Sequence, residues 1–96
     1  MPMKRSDIVE KEQEFKKFVE TIKKAVLNLL NSDKNYVYES TEIVAIVRKD
    51  LYQRGLETEF CDEKVRRAIF NAIFVLAING EITKNYLDLN DYYGSK

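Results

Sequence analysis

The stretch Asp62–Asn79, DEKVRRAIFNAIFVLAIN, decides the fold. Read at 3.6 residues per turn, Val65, Ile69, Ala72 and Leu76 fall on one stripe, the pattern of a helix packed on a core. Arg67 and Asn71 lie roughly opposite, with Glu63 and Lys64 close to them near the start. Further along, that same far side turns apolar at Phe70, Phe74 and Ile78. The spacing therefore predicts a helix with one buried face, a polar head open to a partner and a second face that needs cover. Asp62 is the expected N-cap and Gly80 the expected stop.

Around this helix the composition is that of one soluble globular domain. The chain has 96 residues, 45% hydrophobic and 33% charged, enough for a single modest core. Sixteen basic side chains balance sixteen acidic ones, so there is no bulk attraction to nucleic acid or anionic membrane, and any such binding must come from local charge. No histidine is present, which removes the commonest metal ligand and general base. Cys61 is the single cysteine, so no internal disulfide forms; beside a helix start it is a candidate reactive thiol, and a structural role is the simpler expectation. No metal, cofactor, small-molecule ligand or catalytic motif is implied, and an enzyme is not expected. The N-terminus runs straight into charge and no apolar run reaches membrane-spanning length, so the expectation is a cytoplasmic protein with no membrane partner.

Upstream, residues 6–31 read as a long amphipathic helix capped by Ser6, with Ile8, Phe15, Ile22 and Leu29 every seven residues and Phe18, Val19 and Val26 beside them. Its first half is sparsely apolar, its second half densely so. Asn31–Asn35 is a breaker cluster, and Tyr36–Tyr38 reads as a short strand. Ser40 or Thr41 is expected to cap a second helix with the stripe Ile43, Ile46, Val47 and Leu51, stopped by Gly55. The segment LETEFC then connects to the central helix. Beyond Gly80 a small hairpin over 81–89 is predicted, turning at Lys84-Asn85, with Leu87 and Leu89 facing inward and a frayed polar end. The fold class expected is mainly α with a small β-sheet (α+β), a single domain over 1–96.

The order helix, strand, helix, helix, hairpin resembles the winged helix-turn-helix family over roughly Thr21–Asn90. In that family the early strand joins the hairpin in one sheet, residues 41–79 would be the helix-turn-helix, and the hairpin over 81–89 would be the wing. The size, the lysine, isoleucine and tyrosine content and the absence of histidine are also similar to small winged-helix proteins of archaeal viruses and plasmids. The resemblance implies that the third helix enters the major groove of double-stranded DNA. Carried onto this chain, Lys64, Arg67 and Asn71 are the reading positions, with Arg66 at the margin. Arg donates two hydrogen bonds to guanine, Asn pairs with adenine, and Lys neutralises phosphate. Lys84 and Asn85 would stand at the wing tip, and Arg48 and Lys49, with Arg54, would add backbone contacts. Against these stand Asp62 and Glu63 at the helix tip and Glu57 and Glu59 in the connection.

The expected function is sequence-specific DNA binding by a small transcriptional regulator, in the host cytoplasm if the source is viral. The uncovered second face suggests a homodimer, with Ile8, Phe15, Phe18, Phe70, Phe74 and Ile78 as its interface, and two half-sites would offset weak binding by one copy. The rival reading is a winged-helix module for protein–protein interaction, an adaptor or assembly factor. Tyr86, Tyr92 and Tyr93 offer stacking surfaces, or simply complete a small core.

Overall fold

The computed structural model describes residues 2–55 and 61–96. Among them are three helices and a small antiparallel sheet: α1 (Arg5–Ser32), β1 (Tyr38–Glu39), α2 (Ser40–Gln53), α3 (Asp62–Ile78), β2 (Ile82–Leu87) and β3 (Asn90–Ser95). The expected mainly helical α+β class and order of elements are observed.

The helices pack on one another in all three pairings, and the sheet closes one side through α1·β3 and α3·β2 contacts. The expected stripe of α3 forms the centre: Val65, Ile69, Ala72 and Leu76 are buried, joined by Ala68 and Ile73. Against it lie Phe18, Ile22, Val26 and Leu30 of α1 and Ile43, Val44, Val47 and Leu51 of α2. Each fully buried Ile or Leu contributes about 1.5–3 kcal/mol over leaving it in water. On α2, Val44 takes the core position expected for Ile46, which faces outward. Both fit the helical period, and the two neighbouring helices select the side that includes Val44.

The caps differ from the sequence reading. Ser6 lies inside α1, whose cap is Lys4, and Asp62 is the first residue of α3, whose cap is Cys61; neither cap makes a side-chain bond. At α2 the cap is Glu39 rather than Ser40 or Thr41, in a capping box where the Glu39 N–H donates to the Glu42 carboxylate at 3.1 Å. Glu39 is already extended as part of β1, so the helix starts where the strand ends. The stops are as expected. Gly55 and Gly80 both take positive φ, +70° and +75°, and beyond α3 the Glu81 N–H donates back to Leu76 O at 2.9 Å.

The sheet departs most from expectation. Its order is β1-β3-β2, and β3 is the segment predicted to fray. The hairpin turns at Asp88-Leu89, not at Lys84-Asn85, and pairs Ile82 with Ser95 and Leu87 with Asn90. This register brings Tyr92 and Tyr93 into the ladder and buries Ile82 and Tyr93 on the helices; a turn at Lys84-Asn85 would leave both tyrosines outside the ladder. Leu87 and Leu89, expected inside, are exposed. β1 is shorter than Tyr36–Tyr38: Tyr38 pairs with Tyr93 and Glu39 with Tyr92, while Tyr36 and Val37 lie outside the ladder. Gly94 allows Val37 to approach, since a Cβ there would stand 3.0 Å from Val37 Cγ1.

Asp88 and Leu89 both have positive φ, 51° and 69°, the pattern of a type I′ turn. Glycine or asparagine adopts that conformation cheaply. Leucine there costs about 1–2 kcal/mol, and burial returns nothing because Leu89 is 85% exposed. Next to the turn, partial burial and then the carboxylate of Glu39 raise the Tyr92 phenol above its ordinary pKa, with Asp88 and Glu42 adding to the effect. The hairpin end of the sheet is therefore apolar at its tip and acidic at its flank.

Candidate functional site

The core fixes which way α3 presents its remaining side chains. With Val65, Ile69, Ala72 and Leu76 inward, Glu63, Arg67, Asn71, Phe74 and Ile78 share the outward face. Its N-terminal half is polar. Its C-terminal half is apolar and open, with Phe74 58% and Ile78 67% exposed. The second face was expected to be buried; only Phe70 is half-buried against the core.

Phe15 of α1 crosses the polar half. Together with Cys61, Glu63, Lys64, Arg67, Ala68 and Asn71 it lines an open groove of about 340 Å³. The structure thus brings Lys64, Arg67 and Asn71 to one place. Lys64 Nζ stands 4.6 Å from the centre of the Phe15 ring, a cation–π contact that steers the ammonium along the groove. Arg66 lies on the flank, its guanidinium 5.7 Å from the Phe70 ring centre.

The acids at the helix tip are both engaged. Arg48 of α2 pairs with Asp62 at 3.1 Å, turning that carboxylate toward α2. Arg67 Nη2 donates to Glu63 Oε1 at 2.9 Å, with both side chains about three-quarters exposed. Exposed pairs one turn apart contribute only a few tenths of a kcal/mol. An anion can therefore displace Glu63 from Arg67 at little cost.

The remaining expected site residues do not join this group. Lys84 and Asn85 sit within β2 rather than at the hairpin tip, and Lys84 pairs with Asp91 across the ladder at 3.6 Å. Lys49 is exposed on α2, and Arg54 is held by Asp50 at 2.8 Å. Glu57 and Glu59 lie outside the described residues. Among the expected interface positions, Phe18 is in the core of its own chain and Phe15 packs partly against that core, because α1 passes over the head of α3 rather than over its apolar tail. Ile8, Phe74 and Ile78 remain open.

Sequence reasoning missed two features. Phe15 as a wall of the groove was hidden by its heptad position, which fits a second chain equally well. The apolar hairpin tip of Tyr86, Leu87 and Leu89 was hidden by the misplaced turn. Among the described residues no helix is long and apolar enough to cross a membrane. Comparison of the chain with protein-family models, with curated proteins and with solved structures gives no match.

Proposed function

We propose that this protein is a winged-helix, sequence-specific double-stranded DNA-binding protein, a small transcriptional regulator acting as a homodimer. The observation that carries the reading is the head of α3. A helix anchored in the core on one side presents Lys64, Arg67 and Asn71 together on the other, with Asp62 at its tip paired to Arg48 and Glu63 paired to Arg67 itself. The element order and the sheet of β1 with the hairpin support assignment to the winged-helix class. The dimer is supported by apolar side chains at Ile8, Phe74 and Ile78 that stand exposed on the single chain.

The test is the double variant Lys64→Ala with Arg67→Ala, assayed by fluorescence anisotropy on a duplex selected from a random library. A bidentate arginine–guanine contact discriminates by about 1–3 kcal/mol, so the double variant is expected to lose specific affinity by about tenfold or more. Both residues are exposed, so circular dichroism should remain that of the parent. Unchanged affinity would show that α3 does not read bases.

Two observations favour a second reading, a module for protein–protein interaction. The outward face of α3 is half apolar, and the hairpin tip carries Leu87 and Leu89 beside Asp88 rather than a cation. Both suit a protein surface better than a phosphate backbone.

A further inference from the structure

We propose that a second copy of the chain joins along the outer edge of β2, with Asn85 of each copy facing Asn85 of the other in a continuous antiparallel sheet. The proposal rests on the homodimer half of the reading above but places the seam on the sheet edge, apart from Ile8, Phe74 and Ile78; it does not depend on DNA.

With the order β1-β3-β2, one edge of β2 faces no strand among the described residues. The open edge is six residues long and contains no proline or bulge, and Lys84 is the one charged side chain along it of the kind that blunts such an edge. Because Asp88-Leu89 is a two-residue turn, its closing pair Leu87–Asn90 is hydrogen-bonded and the pattern alternates from there. Thr83, Asn85 and Leu87 direct their backbone groups to β3. Ile82, Lys84 and Tyr86 turn theirs outward, ready for another strand.

That parity restricts how two copies pair. One register that uses the whole strand centres on Lys84 and sets two lysines directly opposite, which is destabilising. The other centres on Asn85, between hydrogen-bonded pairs. Lys84 then faces Tyr86 of the second copy, Thr83 faces Leu87, and no like charges meet. The strand is self-complementary in this register.

The same register sets the position of the hairpin tip. Leu89 adopts a backbone conformation unfavourable to leucine and leaves its side chain in water, so the single chain gains nothing from it. Centring on Asn85 brings Leu89 of each copy to the level of Glu81 in the other, next to the turn that ends α3. The exposed tip of one hairpin thus reaches the root of its mate.

The test uses the full chain with Cys61→Ser, so that no native thiol interferes, and needs only light scattering and non-reducing electrophoresis. In a non-hydrogen-bonded pair the two Asn85 Cβ atoms lie about 5 Å apart, within small adjustments of disulfide geometry. Two Thr83 residues lie four positions out of register, about 14 Å along the strands. The Asn85→Cys variant is expected to convert almost completely to a covalent dimer under mild oxidation, and the Thr83→Cys variant to stay uncross-linked. A dimer by light scattering that cross-links equally at both positions, or at neither, overturns the seam and leaves a dimer of another kind. A protein monomeric at every concentration overturns both the seam and the dimer, while DNA binding by one copy stays open to its own assay.

Discussion

Replacing Ile69 by alanine is expected to destabilise the protein by about 2–5 kcal/mol, the range for emptying a buried isoleucine or leucine site. Ile69 is fully buried at the middle of α3, where α1 and α2 both press on that helix, so neighbours cannot collapse into the space without moving a helix. A domain of this size is stable by about 5–15 kcal/mol. The loss should therefore lower Tm by about 10 °C or more, read by thermal melting in dilute solution. The control is Phe74→Ala, which deletes a larger side chain five residues further along. Phe74 is mostly exposed, so in the separated chain its loss should change stability by no more than about 0.5 kcal/mol. If the two variants melted alike, Phe74 would have to be covered and the outward face of α3 would not be a free surface.

The second large effect is on salt dependence. In the proposed dimer on DNA, Lys64 and Arg66 of each copy offer four phosphate-neutralising cations beside the head of α3, Arg67 being assigned to the bases. Each contact contributes about −0.9 to the slope of log affinity on log salt, so binding should weaken about a hundredfold between roughly 50 and 200 mM salt. A titration of labelled duplex at several salt concentrations gives the slope directly. A slope near half of that size would restrict contact to a pair of cations. Affinity independent of salt, or no affinity at all, would leave the protein-interaction reading in place, since a net charge of zero supplies no other attraction. The Arg67–Glu63 pair does not protect against this loss, because it is exposed and is itself screened by salt.

The helices were legible because their signal is periodic and long. Val65, Ile69, Ala72 and Leu76 specify the inward face of α3 whatever surrounds it, and Gly55 and Gly80 end their helices through positive φ. The sheet was not legible, because six-residue strands carry little period and the turn was assigned on residue type. Lys84-Asn85 looked like the turn, yet Asp88-Leu89 makes it, since only that register seats Ile82 and Tyr93 on the helices. Ile46 and Val44 show the same limit on a smaller scale: both fit the period, and only the arrangement of α1 and α3 decides between them. The grouping of Lys64, Arg67 and Asn71 followed from helical spacing alone. The wall that Phe15 adds, and the removal of Asp62 by Arg48, depend on how separate elements cross, which spacing within one element does not encode.

Residues 5 to 14 of α1 are exposed on every side and touch no buried cluster. A helical piece of that length is marginal in water when only its own hydrogen bonds hold it. Its amide protons therefore trade with solvent through end fraying, whereas those beside Ile22 and Leu30 wait for the whole domain to open. The molecule is 48 Å long against 27 and 21 Å across, and this projecting end of α1 accounts for much of the excess. A protease acting on the native protein would meet Lys11 and Lys16 long before any bond in the core, shortening the chain while its centre stays folded.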